Sequence, residues 1–302
     1  MLYLTHNVIT LMFLNIMLGN DQWKPLGLTG MFLDALSIVP TKDNFWSSTT
    51  PQDHHTHYKG RLVEPYSRLQ SVVSTLSRGP VAPSDRIGFA DKQLIMKSCA
   101  ADGKLLRADF PAAIIDLVLF NRAKLHQHIL EQTETENNRV LGEVWATSVD
   151  LGYTGRLNYK VLLSVTSAAL SVTPDFLGLP DDVEYVAWES NTTSDIHMLA
   201  TERELIVPES ESKLDFQLWY FAPVLPNKWT ILGEIDTKWI PFSNDRFTGL
   251  EVTDTKAHFF INGLEGENVS LKFLNAEKQL VHVSCQIPSS GEMKINIPDP
   301  IC

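Results

Sequence analysis

Three histidines crowd one short stretch of this chain, Asp53-His54-His55-Thr56-His57, and imidazoles at that density could ligate a metal. The stretch reads as a loop, with no helix or strand to fix the rings and no assignable group to orient them. A solvated surface loop is the reading taken, and neither a metal nor any other cofactor is expected. There is no Gly-rich phosphate loop, no G-x-S-x-G and no H-E-x-x-H. Glu131, Glu134 and Glu136, like Glu209 and Glu211, read as solvated charge. Trp145, Trp188, Trp219, Trp229 and Trp239 could serve as sugar platforms, but fit better as core or edge of a β structure. Cys99, Cys285 and Cys302 are too few and too scattered for a disulfide scaffold, and read as buried or free thiols.

The 302 residues are 44% hydrophobic and 20% charged, enough chain for about two domains and a large core. Lys and Arg number 25 against 36 Asp and Glu, a net charge of −11 that excludes a nucleic-acid partner by phosphate repulsion. Residues 1–18 are strongly apolar, yet Thr5, His6, Asn7 and Asn15 interrupt them and no Lys or Arg precedes them. A buried helix or strand is one reading and a signal peptide the other; no membrane partner is expected. The compartment stays open between secreted or lysosomal, with a signal, and cytoplasmic, without one. The sequons Asn191-Thr192-Thr193 and Asn268-Val269-Ser270 would carry glycan only in a secreted chain.

The elements that must position any site change in texture near residue 105. Before it, Leu28 to Leu36 is a helix candidate, followed by extended Ser37-Ile38-Val39 and a break at Pro40. Leu62, Tyr66, Leu69, Val72, Val73 and Leu76 recur at three- and four-residue spacing, which predicts an amphipathic helix. Gly79-Pro80 ends it, Val81-Ala82 reads as a short buried strand, and Asp91 caps a helix to about Ser98. This alternation is the end of an α/β unit. After Leu105, runs at 140–149, 161–165, 183–188, 214–222, 230–234, 257–261, 269–274, 280–285 and 293–297 predict strands separated by turn signals such as Asn262-Gly263. They predict an antiparallel sandwich in which Phe216, Leu218 and Tyr220 face inward between polar neighbours.

The stretch Ser74 to Gly88 (STLSRGPVAPSDRIG) resembles the "GGPVYVSD-x-x-G" segment of raffinose synthases and the related alkaline α-galactosidases, the seed imbibition proteins. Asp102 to Pro111 (DGKLLRADFP) is similar to that family's "DGSILR" run, and Ile38 to Phe45 (IVPTKDNF) to its "I-x-P-D-W-D-M-F". Order and spacing agree across roughly residues 28–120, with a looser echo from Phe216 to Val224. The resemblance implies a C-terminal part of a (β/α)8 barrel over 1–105, carrying about strands six to eight, followed by a β-sandwich over 106–302.

Sites in such barrels lie at the C-terminal ends of the strands. By this resemblance Asp43 follows strand seven and Asp85 strand eight, placing both among sugar hydroxyls, with Trp46 available to stack on a sugar face. A turn or helix-cap role is the other reading of each aspartate, core packing that of Trp46, and helix capping accounts for Glu64. Retaining glycosidases need two catalytic carboxylates. The family's nucleophile strand would precede this chain's first residue, and its Arg-bearing strand-six motif is absent; only Asp21, in Gly19-Asn20-Asp21, stands as a candidate acid. The expected function is therefore a glycoside-hydrolase-like protein that binds or acts on α-galactoside-type carbohydrate and is catalytically incomplete alone. The alternative is a non-catalytic β-sandwich module that binds carbohydrate or a protein partner. Oligomeric state is not legible.

Overall fold

The computed structural model describes residues 2–5 (backbone only), 24–52, 63–120, 123, 142–152, 157–192, 196–199 and 204–302. Up to residue 84, strand and helix alternate: β1 (Leu2–Thr5), α1 (Lys24–Ala35), β2 (Ile38–Thr41) and α2 (Ser67–Leu76). β1 and β2 pair in parallel, Leu2 opposite Ile38 and Thr5 opposite Thr41. β2 runs through Pro40 instead of breaking there. Past its end, Phe45 bridges Pro83 in parallel, with Phe45 N donating to Ala82 O at 3.2 Å and Ser84 N to Phe45 O at 2.8 Å. Gly79 makes this approach possible. A Cβ there would stand 2.5 Å from the Pro40 carbonyl oxygen and 2.6 Å from Thr41 Cβ.

Two expectations need correction here. Val81-Ala82 is not a buried strand: Val81 is half-buried, Ala82 is exposed, and only the bridge at Pro83 joins them to β2. Pro80 and Pro83 flank the pair and cannot donate to a ladder. Where about three final barrel strands are expected, the described residues hold a two-stranded parallel sheet and one bridged segment, with no closed barrel wall. Leu28 and Phe32 on α1, and Leu36 just past its end, lie exposed four residues apart.

α2 begins at Ser67, later than the periodicity predicts, and is buried on nearly every face. Leu69, Val72, Val73 and Leu76 enter the main core. Two of its buried small polar residues are partnered: Thr75 Oγ1 donates to Ser71 O at 2.9 Å, and Trp239 Nε1 donates to Ser71 Oγ at 2.9 Å, while Ser74 Oγ is buried with no partner among the described residues. α3 (Lys92–Met96) starts as predicted, with Asp91 accepting from Leu94 N, and stops short of Ser98.

The rest is antiparallel β structure. In chain order the strands are β3 (Ala113–Ile114), β4 (Glu143–Asp150), β5 (Asn158–Val165), β6 (Leu170–Val172), β7 (Tyr185–Glu189), β8 (Ile196–Leu199), β9 (Leu205–Val207), β10 (Gln217–Pro223), β11 (Thr230–Gly233), β12 (Phe247–Val252), β13 (Ala257–Asn262), β14 (Asn268–Leu274), β15 (Leu280–Gln286) and β16 (Glu292–Ile297). They form a six-stranded sheet in the order β3-β4-β5-β10-β7-β8, two three-stranded sheets, β11-β14-β15 and β12-β13-β16, and the pair β6-β9. β10 is central and buried on both faces, Trp219, Tyr220 and Phe221 alike, so the expected inward–outward alternation fails there. Trp145, Trp188 and Trp239 are fully buried, as core and not as platforms. An aromatic chain links the sheets, with the Phe242 and Phe247 rings stacked at 4.5 Å. Cys285 and Cys302 form a disulfide that fastens the chain's last residue to β15, against the expectation of thiols; Cys99 alone is free and buried.

Charged groups join residues 96–107 to the β region. Arg107 grips Asp245 through two bonds of 2.9 Å. Behind it, Arg246 lies fully buried between Glu234 (3.2 Å) and Glu267 (2.7 Å), and Lys238 Nζ donates to Met96 O and Cys99 O. No helix among the described residues is long and apolar enough to cross a membrane.

Candidate functional site

The chain leaves β2 as Lys42-Asp43-Asn44, and leaves the neighbouring bridged segment as Ser84-Asp85. The two loops meet where Ser84 Oγ donates to Asn44 Oδ1 at 3.2 Å, so Asp43 and Asp85 lie one residue to either side of a direct contact. Their environments differ. Asp43 is half-buried; its Oδ1 accepts from Asn44 N at 2.7 Å, and its Oδ2 has no hydrogen-bond partner among the described residues. It is an ionisable acceptor with capacity to spare.

Asp85 has none to spare. Oδ2 accepts from Ser47 N (2.9 Å) and Ser47 Oγ (2.7 Å), and Oδ1 from Ser48 N (3.1 Å) and Gln52 Nε2 (2.7 Å). Gln52 Oε1 in turn accepts from Arg86 N, and Ser47 Oγ from Asp91 N, the cap of α3. The carboxylate thus braces loop 47–52 against the segment that follows the bridge. Burial would raise its pKa, but the bonds from Ser47, Gln52 and Ser48 outweigh that and hold it below the ordinary carboxylate value. The stability its ionised form contributes is therefore present above the ordinary carboxylate range and is lost as pH falls through the lowered folded value. Asp85→Ala should lower unfolding free energy by about 2–3 kcal/mol in urea melts at pH 7; a loss under half of the lower figure would contradict the bracing role.

Two charged residues that sequence reading did not place in the site stand beside Asp43. Lys42 is buried, its Nζ donating to Asp43 O at 3.1 Å and lying 5.5 Å from the Phe45 ring centroid. Burial brings its pKa down to about 8, against the pull of Glu64 and Asp43. Glu64 is pushed up by burial, while a bond from Tyr66 N (3.0 Å) and the charges of Lys42 and Lys213 oppose the rise. Glu64 does precede α2 as a capping residue would, but it also supplies the carboxylate that attracts Lys42. Nothing in the local pattern marks Lys42, because the Glu64 charge that attracts it lies 22 residues away along the chain.

Lys42 carries a pH signature. Its folded pKa is lowered, so between pH 8 and 10.5 the unfolded chain holds the proton that the folded chain releases, and stability rises with pH across that window. The contribution reaches about 3 kcal/mol at most. Subtracting a Lys42→Met pH series from the wild-type series should isolate it; identical slopes would mean that Lys42 is not desolvated.

Trp46 is half-buried next to buried Phe45. Asp21 and the cluster His54, His55 and His57 lie outside the described residues. Among the described residues no group of three or more His, Cys, Asp or Glu could hold a metal ion. Chemically, the arrangement offers one carboxylate oxygen open to hydroxyl donors, Asp43 Oδ2, beside a second carboxylate, Asp85, whose bonds are taken up by Ser47, Ser48 and Gln52.

No protein-family model matches this sequence, and no curated protein matches it. Solved structures similar to it include a protein of Bacillus halodurans C-125 assigned as an alpha-N-acetylgalactosaminidase, at TM-score 0.34 and 10% identity over 54% of this chain. Another is Abp, a GH27 β-L-arabinopyranosidase of Geobacillus stearothermophilus, at TM-score 0.37 and 13% identity over 68% of this chain. The chain spans 32% and 43% of the lengths of those two proteins.

Proposed function

We propose that this chain is the C-terminal part of a glycoside-hydrolase-like protein and binds α-galactoside-type carbohydrate at the ends of β2 and the segment bridged to it. In this reading residues 1–105 are the end of a TIM-type barrel and 106–302 a β-sandwich domain. One observation carries it: two adjacent parallel segments end in loops in mutual contact, and one loop presents a carboxylate oxygen, Asp43 Oδ2, with no donor among the described residues. The sequence resemblance over residues 28–120 supports the same ligand class.

Asp43 is the acceptor for sugar hydroxyls, Trp46 the candidate stacking surface, and Asp85 the brace that ties residues 47–52 to the segment after the bridge. Asp21 stays the candidate acid, and a partner carboxylate across the scissile bond is missing from the assignment, so binding without turnover follows. Raffinose and an aryl α-galactoside should bind weakly by calorimetry and release no galactose or aryl group. Release that vanishes in Asp21→Asn would make the chain a complete enzyme; absence of any binding would end the carbohydrate reading.

A further inference from the structure

We propose that the cavity between α1 and the six-stranded sheet is a binding site for a small monocarboxylate with an apolar body, held through Lys160. The cavity measures about 330 Å3, the lower end of ordinary ligand sites. It shares no residue with the loops that hold Asp43 and Asp85, and the inference does not depend on the carbohydrate reading.

The sequence explains why the space is there. Cross-strand pairing puts Ala113 beside Ala146, and Ser148 beside Lys160, on the face that α1 covers. From α1 come Gly30, Met31, Asp34 and Ala35. A helix and a sheet that meet through glycine, alanine and serine cannot fill the gap between them. Gly30 lies against the backbone itself, since a Cβ there would stand 3.0 Å from Ala112 O.

The lining is chemically two-sided. Met31, Phe110 and Pro111 make an apolar wall, with Phe110 half exposed at 51%. Opposite them stand Lys160 and Ser148. Lys160 is half-buried, and its ammonium has no hydrogen bond or ion pair among the described residues; burial alone lowers its pKa. The Ser148 hydroxyl likewise has no partner among them. Thr147 is occupied, donating to Phe110 O. A half-buried cation with no ion pair among the described residues, cross-strand from a serine whose hydroxyl has no partner among them, is completed by one carboxylate: one oxygen for the ammonium, one for the hydroxyl. The aryl or short alkyl body then covers Met31, Phe110 and Pro111. Asp34 sits in the same lining and repels a doubly charged phosphate about twice as strongly as a monocarboxylate, so the single charge is preferred.

Calorimetry and saturation-transfer NMR with benzoate, hexanoate, benzyl alcohol and inorganic phosphate test this on the whole chain. Benzoate and hexanoate should bind, and benzyl alcohol and phosphate should bind at least about tenfold more weakly or not at all. Lys160→Met, which keeps the aliphatic stem, should weaken benzoate about tenfold or more, with the melting temperature unchanged or raised. Should that variant fail to fold, the wild type suffices: benzoate must protect Lys160 from an amine-acylating reagent, read by peptide mass spectrometry, while surface lysines react as before. Failure of both carboxylates to bind, equal affinity in Lys160→Met, or no protection of Lys160 overturns the proposal.

Discussion

Arg246→Met should cost the fold about 3–5 kcal/mol at pH 8, a large part of the stability of a chain this size. The guanidinium is 1% exposed and neutralises two carboxylates, Glu234 at 3.2 Å and Glu267 at 2.7 Å. Burial already raises Glu234 to about 7, with Arg246 and then Lys238 holding it down and Glu267 pushing it further up. Without Arg246, two buried carboxylates face each other with only Lys238 and backbone donors to compensate. They must then take up protons or pull the site open to water. The sign with pH follows. A carboxyl whose folded pKa is raised contributes stability that is full below its unfolded value, near 4.5, and lost as pH rises through the folded value, near 7. In Arg246→Met that loss extends above pH 7, so the variant should recover much of its deficit between pH 8 and pH 5. Guanidinium denaturation at four pH values would show it. A deficit below 1 kcal/mol at pH 8 would mean that the cluster is hydrated rather than buried. The double variant Arg246→Met/Glu234→Leu should be more stable than Arg246→Met alone, because removing an unpaired buried charge relieves its desolvation.

Asp43→Asn should abolish measurable galactoside binding while leaving the melting temperature within a degree or two of wild type. The asymmetry comes from the two oxygens. Oδ1 holds Asn44 N at 2.7 Å, and an asparagine carbonyl can take over that bond. Oδ2 is the unused acceptor; in asparagine its place goes to an amide that donates. Hydrogen bonds to a charged group contribute about 1.5–3 kcal/mol, so losing one or two weakens an already weak ligand by about ten- to a hundredfold or more. Asp85→Asn offers the contrast. There the amide would face the donors Ser47 N and Ser47 Oγ or Ser48 N and Gln52 Nε2, so stability should fall along with any binding. Equal binding by wild type and Asp43→Asn, with both proteins folded, would remove Asp43 from the site.

Much of the architecture could be read from local pattern. The change of texture near residue 105, the start of α3 at Asp91, and strands such as β5, β13, β14 and β16 rest on short-range periodicity and capping chemistry, which act within a few residues. The misses have equally local causes. β6 and β9 are three residues each, too short to show a period, and β12 contains Gly249 amid exposed neighbours. Val81-Ala82 reads as apolar, yet two prolines leave it one bridge. The Cys285–Cys302 disulfide was invisible because spacing alone says nothing about where residue 302 returns to β15.

The sequence by itself determined where most of the longer strands and helices fall, a net charge of −11, and a short set of aspartates at strand ends. Only the tertiary structure decided what each charge does. Asp43 and Asp85 look alike as aspartates following strand-like runs, but the donors that occupy Asp85 come from 33 to 38 residues upstream, and none reaches Asp43 Oδ2. Lys42 is a buried cation whose strongest attraction is to Glu64, Arg246 lies between Glu234 and Glu267, and Lys160 lines a cavity with no ion pair among the described residues. Periodicity reports burial averaged over one element. The protonation and the free bonding capacity of a side chain depend on dielectric and donors supplied by other elements, and these exist only once the chain has closed on itself.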